Sequence, residues 1–196
     1  MQKAKMSKGR DLISCQYQIS VLRDNFVPMI LDALGKVNTD KVWAKTGKTG
    51  TIYRGKAVHV VDCVKACFSH IFDDSHPYVT MTATFFKDNS DLTLTDCCIA
   101  EDEMLLNDTK QSFYVLGRMS LFPLGIADYV AHQKVMERLA SKRNIVVTRG
   151  YCATDFGGDV QDMFAFLNDV LAYANEQLDD YALSVSMTIY GAEAVK

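Results

Sequence analysis

The sequence lacks the features that define several large classes of protein. No run of 18 apolar residues occurs along its 196 residues, which argues against a membrane-spanning helix. Residues 1–10 carry four Lys or Arg, but the apolar stretch of a signal peptide does not follow. Nothing resembles the concentrated basic stripe of a nucleic-acid-binding protein. The sequence therefore predicts an ordinary globular protein of the cytoplasm, with no membrane insertion and no nucleic-acid partner.

Metal-binding and catalytic motifs are also lacking. The six cysteines show no paired C-x-x-C spacing, and neither G-x-S-x-G nor H-E-x-x-H occurs. Cys63 and Cys67 could approach a metal from one helix, but Cys67 falls in an apolar stripe, where a free cysteine is usually a small buried hydrophobe. His59 and Asp62 lie off that stripe and favour a solvated surface pair. We expect no metal, no cofactor and binding without turnover, although active sites can assemble across a sequence.

Positive charge is missing from one segment in particular. Seven Asp or Glu and no Lys or Arg stand between Asp88 and Asp108, although the net charge of the whole chain is only −3. The acidity therefore belongs to a connecting segment. A solvated linker is favoured over an acidic recognition patch.

What the sequence does contain is an internal duplication. Residues 13–86 and 113–190 each open and close with an alternating strand. The first strands correspond at an offset of about 100 residues and the last at about 104. The long apolar helix that starts near Ala57 repeats near Val160 with a constant offset of 103. Two related folding units are predicted.

Each unit reads as strand, helix, hairpin, helix, strand, the β-α-β-β-α-β order of ferredoxin-like proteins. The predicted fold is α+β, a tandem duplication with antiparallel sheets. Its segments are repeat 1 at 11–88, an acidic linker at 89–110 and repeat 2 at 111–192. In repeat 1, Asp24 or Asn25 caps the first helix, Gly35 ends it, and Gly55 breaks the last hairpin strand. In repeat 2 the elements are a strand at 113–122, a helix at 126–142, a hairpin at 145–155, a helix from 159 and a strand ending at 190.

Hydroxyls and amides dominate the sheet face that alternation directs away from the helices. One interpretation is a partly exposed sheet whose Ser and Thr satisfy strand propensity. The other is a pocket floor that binds a small nitrogen-rich or hydroxylated ligand, since buried polar groups need partners. The candidate residues of this face are Gln16, Gln18, Ser20, Thr82 and Thr84 in repeat 1, and Arg118, Ser120 and Ser186 in repeat 2.

The two hairpins add further ligand-binding candidates. Thr51 corresponds to Thr154, and each lies shortly before the long helix of its repeat. Trp43 is either a core residue or a platform for a flat heterocycle or cation. The sequence 157–159 before a helix could receive a phosphate, but capping by Asp159 is the simpler interpretation. The remaining hairpin candidates are Thr46, Thr49, Arg54, Thr148, Tyr151 and Asp155.

Several segments resemble the YkoF family of thiamin/hydroxymethylpyrimidine-binding proteins. They are DKVWAKT at 40–46, TIYRG at 51–55, AVHVVD at 57–62 and YCATDFGGDVQDMF at 151–164. The likeness spans about 13–190 and is weakest in the linker. Gly157 stands where family members carry an acidic residue, which bears on the ligand preference of the second site.

The resemblance implies a homodimer with paired sheets that binds thiamin or its hydroxymethylpyrimidine (HMP) moiety. It also implies a role in uptake or salvage of the precursor, with transporter components as further partners. A rival hypothesis is a regulatory or interaction module that acts on a partner enzyme or transporter through sheet-to-sheet assembly. A third is an enzyme that acts on the same pyrimidine.

Overall fold

The structure is a computed structural model that describes residues 12–72, 78–88, 99–125, 129–149 and 154–189. The β-α-β-β-α-β order predicted for each half is confirmed. The first half contains β1 (Leu12–Val21), α1 (Phe26–Gly35), β2 (Trp43–Gly47), β3 (Gly50–Lys56), α2 (Ala57–Ile71) and β4 (Val79–Lys87). The second contains β5 (Tyr114–Pro123), α3 (Tyr129–Ala140), β6 (Val146–Arg149), β7 (Thr154–Asp159), α4 (Val160–Gln177) and β8 (Tyr181–Ile189).

The two halves share one antiparallel sheet of eight strands. The strand order is β2-β3-β1-β4-β8-β5-β7-β6, so that β4 and β8 join the halves at the centre. Thr82 lies opposite Ser186 and Thr84 opposite Ser184 across this junction. The duplication therefore produces a continuous surface, and its middle is formed equally by both repeats.

The hydrophobic core lies between the sheet and the two long helices. Val60, Val64 and Phe68 of α2 are fully buried, as the apolar stripe predicts. Phe68 packs against Phe113 and Phe164, which connects the cores of the two halves. Burial of each such side chain stabilises the fold by about 1.5 to 3 kcal/mol. The long helices therefore pack firmly on one face of the sheet, and the other face is left uncovered.

The strand pairing corrects the offsets between the repeats. Ile13 pairs with Gly55, and Val115 pairs with Gly158. Since Gly55 and Gly158 are equivalent at the hairpin offset of 103, Ile13 is equivalent to Val115 at an offset of 102. The pairing of β1 with β4 and of β5 with β8 gives 102 for the closing strands as well. The predicted offsets of 100 and 104 were each wrong by two residues. Alternation cannot reveal such an error, since a slip of two residues leaves every side chain on its original face.

Several element ends also differ from the sequence prediction. Gly55 does not break β3, which continues to Lys56; a Cβ at Gly55 would lie 3.1 Å from Cγ1 of Val42, so close packing explains the glycine. Asn25 occupies the N-cap of α1 in the left-handed conformation, and its side chain makes no capping hydrogen bond. The described part of the third helix begins at Tyr129, since residues 126–128 lie outside the described ranges, and it ends two residues before the predicted end. The predicted cap at Asp159 is confirmed by a 2.8 Å hydrogen bond from the Gln161 amide.

Residues 99–110, which we term the docked linker, make hydrogen bonds to the first half, although most of their side chains are exposed to solvent. The Asp62 carboxylate accepts hydrogen bonds from the amides of Leu106 and Asn107, the latter at 3.1 Å. A ring nitrogen of His59 lies 2.7 Å from the carbonyl oxygen of Asp102. The prediction of a solvated surface pair was therefore wrong, since both His59 and Asp62 are buried beneath the linker. His59 and Asp62 lie off the apolar stripe of α2 and make polar contacts with the docked linker.

None of the helices in the described ranges is long and apolar enough to span a membrane.

Candidate functional site

The sheet has a helix-covered side and an open side, and the predicted ligand-binding residues fall on both. Those on the open side are Gln16, Gln18, Ser20, Trp43, Arg54, Thr82, Thr84, Arg118, Ser120, Thr148, Asp155 and Ser186. Thr46, Thr51 and Thr154 lie on the helix-covered side, and Thr49 lies in the turn between β2 and β3. Tyr151 is outside the described residues.

The open side forms a shallow polar trough at the centre of the sheet. Its volume is about 280 Å³, and its polar lining residues are Gln16, Gln18, Thr82, Thr84, Ser184 and Ser186. Beside the trough, the hydroxyls of Thr80 and Thr188 are 3.3 Å apart across the β4–β8 junction. These side chains present neutral donors and acceptors, as the sequence predicts for this face.

The charged candidates of the open side are engaged in ion pairs. Arg54 is buried and binds the carboxylate of Asp88, which also accepts a 3.2 Å hydrogen bond from Ser14. In the second half, Nε of Arg118 donates to Asp155 at 2.8 Å on the exposed surface. A structural role therefore accounts for Arg54. The Arg118 pair is accessible to solvent.

The hairpin threonines lie on the side of the sheet away from the polar trough. Thr51 pairs with Tyr17, whose side chain is buried under the helices, and Thr46 pairs with Thr51. Alternation along β3 therefore places Thr51 on the side opposite to Arg54. The sequence indicated a strand at this position but did not reveal which face carried the hydroxyl.

A second cavity lies on the helix-covered side of the first half, between α1, β1 and the β2–β3 hairpin. Its volume is about 310 Å³. We term it the α1 cavity. It is lined by Phe26, Val27, Ile30, Leu31 and Leu34 of α1, residues 46–51 of the hairpin, Cys67 of α2, and Tyr17, Gln18, Ile19 and Ser20 of β1.

The α1 cavity exists because α1 packs on the sheet only in part. Ala33 is fully buried, whereas Phe26, Val27 and Leu31 stay 44 to 58% exposed. A helix of this apolar character would normally bury a full stripe against the sheet. Here those side chains form the rim of a gap that is large enough for a small ring compound.

Neutral hydrogen-bonding groups line the interior of the α1 cavity. The hydroxyls of Thr46 and Thr51 are 3.1 Å apart. At the edge of the hairpin, the exposed side-chain amide of Gln18, which the strand directs to the open side, donates to the carbonyl oxygen of Thr49. The Tyr17 hydroxyl lies 3.1 Å from that of Tyr53, which is behind the lining. Among the described residues that line it, Lys48 carries the only full charge, and it is exposed. The cavity is suited to a flat, uncharged, polar-edged ligand.

The corresponding region of the second half has different side chains. Arg149 occupies the position of Thr46, and its Nε donates to Glu137 of α3 at 3.0 Å. Met119 and Val170 occupy the positions of Tyr17 and Cys67. The backbone frame is repeated, but the polar interior is not.

Sequence reasoning did not identify Tyr17, Cys67 or the five α1 side chains as site residues. The available signal was the excess of apolar residues in α1. Phe26, Val27 and Leu31 continue around the helix beyond the stripe that a sheet would cover.

Comparisons with known proteins agree with this duplicated frame. The sequence profile described as "YKOF-related Family" matches residues 13–89 and again 115–191. The chain belongs to this family. It is 26% identical over 176 residues to the Bacillus subtilis (strain 168) protein named "Putative HMP/thiamine-binding protein YkoF", with 88% of each chain covered.

Among solved structures, a hypothetical protein of Methanocaldococcus jannascii, MJ1052, aligns with 38% of this chain and 77% of its own. The TM-score is 0.36 and the sequence identity is 17%.

Proposed function

We propose that this protein binds thiamin or its HMP moiety without chemical turnover, and that the α1 cavity is the binding site in the first half. The observation that carries the proposal is a 310 Å³ cavity with apolar walls and neutral hydroxyls inside. The name of the B. subtilis relative supports the same ligand class.

The chemistry of the cavity matches an aminopyrimidine. Apolar side chains such as Phe26 and Ile30 contact the faces of a flat ring, and hydroxyls at its edge bond ring nitrogens, an amino group or a hydroxymethyl group. The described lining contains no carboxylate that would pair with a thiazolium cation. We therefore expect the pyrimidine to enter the cavity and the thiazolium of thiamin to remain at the mouth.

Calorimetric titration with HMP and with thiamin tests the proposal. Thr51→Val removes a cavity hydroxyl and should weaken binding, whereas Thr82→Val changes the same chemical group on the open side and should leave it intact. The reverse result would move the ligand to the polar trough. Thr154→Val is the equivalent change in the second half. Absence of binding to HMP, thiamin and its phosphates at millimolar concentration would refute the proposed function.

Exposed apolar residues on the open side favour an additional role in assembly. Ile52, Phe86, Tyr114, Leu116 and Phe122 flank the polar trough, and each is at least 37% exposed. Apolar groups of this size on a flat sheet are typical of a protein interface. They support a homodimer in which two open sides pair, and sedimentation of a Leu116→Lys, Phe86→Lys variant as a monomer is the expected result.

The same surface supports the second candidate, an interaction module that binds a partner enzyme or transporter. Copurification of a stoichiometric partner without any ligand would favour that role. Cytoplasmic residence and a part in uptake or salvage of the thiamin precursor belong to the leading proposal.

A further inference from the structure

Three buried side chains that carry hydrogen-bonding groups lie at the inner end of the α1 cavity. Tyr17 and Cys67 line the cavity, and Tyr53 lies directly behind Tyr17. The two tyrosine hydroxyls are 3.1 Å apart, and their rings are tilted at 30° with centroids 5.3 Å apart. The third member, Cys67 of α2, is fully buried. We term Tyr17, Tyr53 and Cys67 the floor cluster.

The hydrogen bond between the two tyrosines leaves one of their protons unused. Each hydroxyl carries one proton, and either hydroxyl can donate across the 3.1 Å contact. When Tyr53, which lies behind the lining, donates to Tyr17, the proton left over is that of Tyr17. The structure gives the Tyr17 hydroxyl no further hydrogen bond among its described residues, so this proton is available to a molecule in the cavity.

The floor cluster is electrically neutral. Burial raises the pKa of Tyr17 and of Tyr53 well above the usual value for tyrosine, and it raises the pKa of Cys67 to about 11. All three groups hold their protons at physiological pH. The cluster therefore offers an uncharged donor, which suits a neutral acceptor such as a ring nitrogen.

The second half has no equivalent of this cluster. With strand offsets of 102 and 103, Tyr17 corresponds to Met119 and Tyr53 to Phe156, and the helix offset of 103 relates Cys67 to Val170. Three hydrogen-bonding side chains are replaced together by three apolar ones. This joint replacement indicates a difference in what the inner end of each half can recognise.

We propose that the Tyr17 hydroxyl, positioned by Tyr53, donates a hydrogen bond to an acceptor on the buried edge of the ligand ring. Tyr17 is thus a specificity-determining residue, and the first half selects heterocycles with a ring nitrogen at that edge. The inference rests on the proposed function, since it assigns a recognition contact within the same cavity. A ring that carries C–H at that position leaves the donor without a partner, which is the condition under which a hydrogen-bonding site rejects an analogue.

A set of ligands separates this contact from general binding. HMP and its two pyridine analogues, each with one ring nitrogen replaced by C–H, are titrated calorimetrically into the wild-type protein. One analogue should bind roughly 5- to 15-fold more weakly than the other, the effect of one neutral hydrogen bond. In Tyr17→Phe, HMP should bind as weakly as that analogue binds the wild type, and the analogue should lose no further affinity.

Tyr173→Phe is the matched control, since it removes a tyrosine hydroxyl that contacts His132 in the second half, away from the α1 cavity. It should preserve the ligand ranking of the wild type. If Tyr17→Phe does not fold, as judged by its thermal transition, the wild-type ranking still decides, because equal binding of HMP and both analogues overturns the proposed contact. A fall in affinity of equal size for all three ligands in Tyr17→Phe also overturns it. No binding of HMP at all would instead refute the proposed function.

Discussion

Replacement of Gly50 by alanine should destabilise the protein through one identifiable contact. Gly50 begins β3 with φ of +142°, a conformation that L-residues rarely adopt, and a Cβ there would lie 2.5 Å from the carbonyl oxygen of Tyr17. The backbone conformation costs about 1 to 3 kcal/mol for a residue with a Cβ. Displacement of β1 to relieve the clash adds on the order of 1 kcal/mol. The expected loss is therefore about 3 kcal/mol.

Gly47, at the other end of the same turn, provides the control. A Cβ there would find only the Gly50 carbonyl oxygen at 3.9 Å. Gly47→Ala should change stability by less than about 0.5 kcal/mol. For a chain of this size, a loss of 3 kcal/mol lowers Tm by about 6 to 12 °C in a thermal scan. Equal Tm values for the two variants would show that the clash is relieved without cost and would refute the reasoning.

Three further outcomes are expected. Asp62→Ala should release the docked linker, since the carboxylate accepts two backbone amides, and faster hydrogen exchange at residues 106 and 107 would report it. The Cys67 contribution to stability should be full below about pH 9 and fall by up to about 2.7 kcal/mol towards pH 11, because the unfolded chain loses the Cys67 proton first. Urea titrations should therefore show a smaller fall in Cys67→Ala than in the wild type. Gly157→Ala should cost less than Gly50→Ala in the same scan, because its Cβ would meet the flexible, exposed end of Tyr114 rather than backbone.

The sequence predicted the fold because the signals for it are local. Alternation and the apolar stripe identify each strand and each long helix, and the stripe of α2 is buried as expected. Alternation does not identify the register, because a slip of two residues preserves the pattern. For this reason the equivalence of Ile13 with Val115 emerged only from the pairing of each with a hairpin glycine.

The α1 cavity could not be predicted in the same way. It depends on how far α1 stands from the sheet, and on the fact that Thr51 pairs with Tyr17 and so lies under the helices. Both are tertiary properties. The polar trough was predictable because Gln16 and Thr82 belong to regular strands whose outward faces can be read directly from the alternation.

Ligand stoichiometry provides a physical means to separate the two candidate sites. The trough lies on the junction of β4 and β8, where Thr82 faces Ser186 and Thr84 faces Ser184. The internal two-fold axis that relates the two repeats therefore passes through the trough. There is therefore one trough per chain. The α1 cavity lies away from that axis, so each half provides its own version of the frame.

Two bound ligands per chain would exclude the trough as the sole site. One bound ligand fits either the trough or an α1 cavity that only the first half equips with a floor cluster, and the opposite responses expected of Thr51→Val and Thr82→Val then decide between them.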